Sequence, residues 1–240
     1  MTIPFQKGRY ALRFAANAAD RLACQRLRHV CFFGRPGVDE DAFDARARHV
    51  MITDPADRLV ATMRLMDGAD GYTAQFYDLT GLAERGLPML EIGRFCIAPD
   101  VLDADVLRLA WGGLTGYVAA RDVQMLYGCA SFSGTDPAVF GRALGRLGRH
   151  RGPKELRPPA RNTALPLAAL CHGTGQAALP PLLRTYLAMG GWVGDHLVID
   201  RHMQTMHVFM CLEIARVPAA RVRALQAVAF DPVINGHGAS

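Results

Sequence analysis

Apolar residues along this chain switch repeatedly between a two-residue and a three-to-four-residue spacing, and few architectures accept that switching. Residues 9–15 alternate as a strand does. Residues 18–32 place Leu22, Leu27, Val30 and Cys31 at helical intervals, and Gly34-Arg35-Pro36-Gly37 stops them. Two β-rich runs, 49–53 and 58–66, flank Asp54-Pro55-Ala56-Asp57 and predict a hairpin. A strand over 89–97 ends at Pro99-Asp100, and a long helical pattern over 103–121 follows with Asp103 as N-cap. Residues 124–132 read as a buried strand ending in a Ser-Gly-Thr-Asp-Pro turn, where Asp136 and Pro137 open a short helix. A helix over 182–189 closes at Gly190-Gly191, and strands over 192–199 and 207–214 complete the pattern. The order β-α-β-β-β-α-β-α-β-β predicts a layered, mixed α/β domain with mostly sequential strands.

At 240 residues the chain fits one domain, 1–240, with an elaborated loop. Residues 149–181 carry Gly, Pro and Arg with weak periodicity, so an inserted loop or lid is expected there, and 235–240 are expected to fray. The longest apolar runs, such as 164–171, are too short to span a bilayer, and the first residues lack a secretory pattern. Six cysteines are scattered without CxxC pairs, five of them in apolar surroundings that read as core. That suits a reduced cytoplasm and argues against zinc.

The net charge of +5 is concentrated. Arg142, Arg146, Arg149, His150, Arg151, Lys154, Arg157 and Arg161 face Glu155 alone in their segment. Such a patch attracts nucleic acid, anionic lipid or an acidic protein, unless it is a solvated loop with an arginine bias. Nucleic-acid binding lacks interleaved aromatics and a known motif here.

The densest polar constellation in an apolar strand is Glu91-Ile92-Gly93-Arg94-Phe95-Cys96-Ile97. Charges there must be paired or serve a site. Residues three apart on a regular strand face opposite ways, but an internal glycine often marks a bulge that turns both to one cleft. Glu91 then orients a substrate ammonium and Arg94 orders the site; a structural ion pair across a sheet edge fits equally well. Asp41 and Asp44 share one face of a turn or helix start, near Arg64. They either bind a cationic amino acid or cap a helix and pair with Arg46 and Arg48, and spacing favours the cap. Arg28 and Phe32 stand one helical turn apart, with Arg28 in a position to pair with those aspartates. Ser131, Ser133 and Thr135 follow a strand, where sites of layered α/β folds gather, but no serine-hydrolase elbow surrounds them. His196, His202 and His207 match no zinc spacing and read as solvated or core histidines.

Taken in order, Arg28…Phe32, Asp41…Asp44, Arg64-Leu65 and Glu91…Arg94-Phe95 resemble the skeleton shared by two families that use acyl carrier protein. These are the acyl-homoserine-lactone synthases and the L-ornithine Nα-acyltransferases of bacterial ornithine-lipid synthesis. The lactone synthases typically carry a tryptophan soon after the Phe32 position, where this chain reads Phe33-Gly34-Arg35-Pro36-Gly37. Residues 126–137 and 180–191 are similar to the ornithine family's own signatures, so the resemblance covers nearly the whole chain. It implies a GNAT-like fold, a mostly antiparallel central sheet flanked by helices with the Arg/Pro-rich segment inserted. It also implies a 3-hydroxyacyl carrier-protein donor, an L-ornithine acceptor and a lyso-ornithine lipid product. The other acceptors in view are a lactone synthase's substrate or another amino acid; the non-enzymatic alternative is a carrier-protein or membrane-binding module.

Donor chemistry points the same way. Acetyltransferases that use coenzyme A grip its pyrophosphate with a glycine-rich loop at a helix N-terminus. Here residues 97–105 hold no glycine and three aspartates, Asp100, Asp103 and Asp105, which repel a pyrophosphate. A phosphopantetheine arm delivered on carrier protein brings one phosphodiester, and no cofactor or metal of the enzyme's own is expected. The arm is expected beside Phe95, Cys96, Ser131 and Phe132, with Glu91 taking the amine proton and backbone N–H groups near Phe95 and Cys96 stabilising the oxyanion. Arg142, Arg146, Arg149, Arg151 and Arg157 form the expected carrier-protein dock, with peripheral contact to an anionic membrane on its cytoplasmic face as the other use.

Overall fold

The computed structural model describes residues 5–161, 164–170 and 175–229. In chain order its elements are β1 (Phe5–Lys7), β2 (Tyr10–Phe14), α1 (Ala18–Phe33), β3 (Arg48–Thr53), β4 (Leu59–Asp67) and α2 (Thr80–Ala83). Next come β5 (Met89–Ile97), α3 (Ala104–Ala120), β6 (Met125–Ser133), α4 (Gly141–Leu147) and β7 (Ala164–Pro166). The last are α5 (Pro181–Ala188), β8 (Trp192–Asp200), β9 (Thr205–Glu213) and α6 (Ala219–Ala229). The strands hydrogen-bond in the order β1-β2-β3-β4-β5-β6-β9-β8-β7. β5 and β6 are parallel, and the chain runs through α3 between them, the kind of connection parallel neighbours require. β1 to β4 and β6 to β9 pair antiparallel. This is the expected GNAT-like arrangement: a mixed, mostly antiparallel sheet with helices.

The chain divides into two compact units. The first comprises Met1–Leu65, Arg94–Asp122 and Ala219–Ser240. Here Asn17 caps α1 by accepting from Asp20 N at 2.9 Å, and Gly34, at φ +68°, ends it by donating to the Val30 carbonyl. Asp103 caps α3 as expected, and Gly113 lets α3 approach β2 closely, since a Cβ there would fall 2.6 Å from Leu12 Cδ1. Tyr10, Leu12, Val50, Ile52, Val60, Leu109 and Leu114 form buried apolar surface in this unit. α6 packs on α3; its arginine-studded sequence after Pro218 hides it from the periodicity argument.

The second unit comprises Met66–Gly93 and Val123–Pro218. Its core gathers Tyr77, Leu79, Leu82, Met89, Met125, Tyr127, Trp192, Val198, Phe209 and Cys211. Gly128 of β6 is required by close backbone approach, because a Cβ there would lie 2.4 Å from the Ile92 carbonyl oxygen of β5. Within the stretch expected as loop or lid, the described residues hold short 3₁₀ turns and β7, which pairs Leu165 with Leu197 of β8. Pieces of three or four residues leave no readable period. The expected fray at 235–240 lies outside the described residues. Cys24, Cys96 and Cys211 are buried, Cys129 is partly buried against the core and Cys31 is half-buried, while Cys171 lies outside the described residues.

Candidate active site

In the first unit, three guanidiniums and three carboxylates close on one another. Arg28 donates from Nε to Asp39 Oδ2 at 2.7 Å, from Nη2 to the Asp39 carbonyl, and to both Asp44 oxygens at 2.8 Å. Arg64 Nη1 reaches Asp41 at 2.6 Å and Asp44 at 2.9 Å. Arg94 reaches Asp39 and Asp41, each at 3.1 Å. Gln25 donates to Asp44, the His49 ring contacts the Asp44 carbonyl oxygen, and Phe43 lies under Arg64. Burial opposes the Asp44 charge, but hydrogen bonds from Arg28, Arg64 and Gln25 outweigh it and hold the carboxyl well below the usual carboxylate range. Burial pushes His49 down, toward the neutral ring.

No helix begins at Asp41 or Asp44, which corrects the capping reading. Asp41 organises a turn by accepting from Phe43 N at 3.0 Å, while Asp44 Oδ2 accepts from Asp41 N. Arg46 stacks on Phe43 and Arg48 donates to Tyr117. Arginine partners come from α1, β4 and β5. Arg94 enters at φ +52°, a left-handed conformation next to Gly93 that interrupts strand alternation where the glycine hinted at a bulge.

Glu91 sits in the second unit on β5, 3% exposed. Its Oε1 accepts from the backbone N–H and the hydroxyl of Thr73, each at 3.0 Å. Thr73 belongs to a 3₁₀ turn, Tyr72–Gln75, and Gly71 before it presses on the carboxylate: a Cβ at Gly71 would fall 1.8 Å from Glu91 Oε2. Tyr127 pairs with Glu91 across β5 and β6, and burial, with the charges of Glu91 and Asp70 adding, pushes its phenol up. Cys129 Sγ lies 3.5 Å from the Thr73 hydroxyl. A buried carboxylate fixed by oriented donors and flanked by a neutral phenol is a proton acceptor of defined position.

Set beside known proteins, this geometry has relatives. Residues 28–112 match the acetyltransferase (GNAT) domain model. An L-ornithine N(alpha)-acyltransferase of Rhodobacter capsulatus is 32% identical over 232 residues, covering 85% of this chain and 90% of that protein. The chain belongs to the L-ornithine N(alpha)-acyltransferase family. The Brucella abortus member is 30% identical over 244 residues, covering 88% of this chain and 86% of its own. A solved structure of FeeM, an N-acyl amino acid synthase from uncultured soil microbes, superposes with a TM-score of 0.55 at 10% identity, over 90% of this chain and 99% of that one, a likeness of fold. This family member is an acyltransferase.

The remaining expected positions fall as follows. Phe32 on α1 and Phe95 on β5 are half-buried. Cys96 is buried against Cys31, and that hydrogen-bonded neighbour together with burial pushes its thiol well up, which disfavours a thiolate nucleophile. Ser131 lies inside β6 rather than after it, exposed and opposite His207, while Phe132 is buried edge-on to Phe140. Arg142, Arg146 and Arg149 are exposed on α4 and the turn after it. Arg151 and Arg157 both turn to Asp195, and Arg157 keeps only 14% of its side chain exposed. Among the described residues no group of three His, Cys, Asp or Glu is placed to hold a metal, and no helix is long and apolar enough to cross a membrane. Sequence reasoning missed Asp39, Gln25, Thr73 and Tyr127. An acidic residue in the irregular Gly37-Val38-Asp39-Glu40 loop and a threonine two residues after a glycine were the available signals.

Proposed function

We propose that this chain moves a 3-hydroxyacyl group from acyl carrier protein to the α-amine of L-ornithine, giving lyso-ornithine lipid. The observation that carries the reading is the kinship over 85% of the chain with an enzyme named for that acceptor and that nitrogen. The chain works as one acyltransferase domain with no cofactor of its own. The ornithine amine attacks the thioester carbonyl, Glu91 accepts the amine proton directly or through water, and the phosphopantetheine thiol leaves. Thr73 fixes the carboxylate for that step. Arg142, Arg146 and Arg149 offer exposed positive charge to an acidic carrier protein. The protein acts in the cytoplasm, with peripheral contact to the inner face of the membrane that receives its product.

The test is product analysis by mass spectrometry after mixing purified protein, 3-hydroxyacyl carrier protein and a panel of free amino acids. N-acyl-ornithine is the expected product. A lactone, a different acylated amino acid as main product, or no acylation at all overturns the reading.

A further inference from the structure

In the second unit one buried carboxylate is met by neutral groups alone. Asp200, at the end of β8, is 4% exposed. Its Oδ1 accepts from Met203 N at 3.0 Å and its Oδ2 from the Tyr72 hydroxyl, with no arginine or lysine in ion-pair contact among the described residues. A buried carboxylate without a cation costs free energy unless something charged completes it. Each of its oxygens keeps a further lone pair.

Beside it stands a second unsatisfied group. His207 on β9 is 1% exposed and pairs with Val198, which lies two residues before Asp200 on the same strand and so on the same face. Burial pushes its pKa down to about 4 against the opposing charge of Asp200, so the ring is neutral. Tyr77 Oη donates to the His207 carbonyl at 3.1 Å and lies 3.3 Å from Nδ1. Assigned so that the hydroxyl's proton stays with a backbone carbonyl, that of His207 or that of His196 at 3.4 Å, Nδ1–H donates to Tyr77 Oη and Nε2 carries the lone pair. Nε2 is buried and meets no hydrogen-bond partner among the described residues. Around these groups, Tyr72 meets Phe76 edge-on at 5.2 Å and Phe76 meets the His207 ring at 4.7 Å. An anion, a neutral acceptor nitrogen and aromatic rings are together what an ammonium group seeks.

The turn that holds Asp200 also holds the proposed base, Glu91 of β5. Tyr72 holds Asp200, and the next residue, Thr73, holds Glu91. The two nitrogens of ornithine are separated by four carbons, so the acceptor carries a second cation apart from the amine that reacts.

Resting on the ornithine reading above, we propose that Asp200, His207, Tyr72 and Phe76 form the recognition site for the cationic side chain of the acceptor amino acid. Its δ-ammonium donates to Asp200 and to His207 Nε2, against the faces of Tyr72 and Phe76. An acceptor of the same length without that charge leaves both groups unsatisfied, which is how a polar site rejects an isostere.

Ornithine is compared with norvaline, its isostere lacking the δ-amine, using one 3-hydroxyacyl carrier protein as donor. Wild type should favour ornithine by about tenfold or more in kcat/KM. Asp200→Asn, which keeps an acceptor for Met203 N and turns an amide N–H toward the Tyr72 hydroxyl, should shrink that ratio by about tenfold, mainly through the ornithine KM. His207→Gln, which keeps an acceptor near the Nε2 position, should retain more of the ratio than His207→Phe. Equal losses on both acceptors, with the ratio kept, mean a structural role and overturn the proposal. So does a wild type that takes norvaline as readily as ornithine, a result independent of whether any variant folds. A wild type that acylates neither acceptor overturns the ornithine reading itself and this proposal with it, whereas the preceding two results leave that reading standing.

Discussion

Replacing Arg28 by methionine removes the hub of the buried ion network while filling similar volume, so the loss is electrostatic. Arg28 keeps 1% of its side-chain surface exposed, and its partners Asp39 and Asp44 keep 4% and 2%. Removing one partner from a buried ion pair costs about 3–5 kcal/mol, because the other charge stays behind. Arg64 still faces Asp44 and Arg94 still faces Asp39, which places the expected loss near the lower end, about 3 kcal/mol. Urea denaturation at pH 7 reads it, followed by Trp111 fluorescence in a Trp192→Phe background, since Trp111 lies in the unit that holds the network. The pH dependence carries a sign. Asp44 is held below an unfolded pKa of about 3.9, so its contribution is present above that pH and is lost as pH falls toward the folded value. The variant lacks most of that contribution, and the gap between variant and wild type should narrow below about pH 4. A loss under about 1 kcal/mol at pH 7, or a gap that stays constant into acid, refutes the network as a source of stability.

Glu91→Gln should abolish turnover with unchanged melting, and Gly71→Ala, whose methyl would displace the Glu91 carboxylate, should cut kcat about 100-fold with folding retained; near-normal rates in both remove Glu91 from the mechanism. Acyl-CoA should be a poor donor beside the carrier-protein thioester, because the stretch before α3 has no glycine and its Asp103 is spent on capping the helix; comparable kcat/KM for the two donors would defeat that argument. Reversing Arg142, Arg146 and Arg149 to glutamate should raise KM for acyl carrier protein and spare kcat, an effect that fades with salt as the Debye length falls below about 8 Å. If kinetics without lipid are untouched while binding to anionic liposomes falls, the patch is a membrane contact.

The elements legible in the sequence were those long enough to show a period. The β3–β4 hairpin, α1, α3, β5 and β6 stand within a residue or two of the expected positions, and Asp103 caps α3 as read. β1 and β7 are three residues long and α2 is four, too short for a spacing to repeat. α6 has eleven residues but mixes arginine with alanine and valine. The site was legible in part for a related reason. Arg28, Asp41, Asp44, Arg64 and Arg94 stood out as charges in apolar or patterned surroundings, and they do gather. Thr73 has no such contrast, and the partnership of Tyr72 with Asp200 spans 128 positions, a separation no local pattern encodes. His207 read as a core histidine and is buried as one; what marks it is an unmet nitrogen, visible only once its neighbours are known.

Which acidic residue meets a cationic substrate is decided by what each one already has. Asp41 and Asp44 were one candidate in the sequence, yet with Asp39 they stand against Arg28, Arg64 and Arg94, so these charges sum to zero before any acceptor arrives. Bringing an ammonium to Asp44 would mean drawing it away from arginines that also hold a turn in place, and the cost of stranding a buried guanidinium exceeds the gain. Asp200 differs: Tyr72 and Met203 N give it neutral hydrogen bonds that orient without neutralising. An incoming ammonium then adds its Coulombic attraction to a carboxylate already desolvated and fixed, which is where such attraction is strongest. The network thus secures the scaffold, and recognition of the acceptor's side-chain cation falls to the carboxylate that the fold leaves charged.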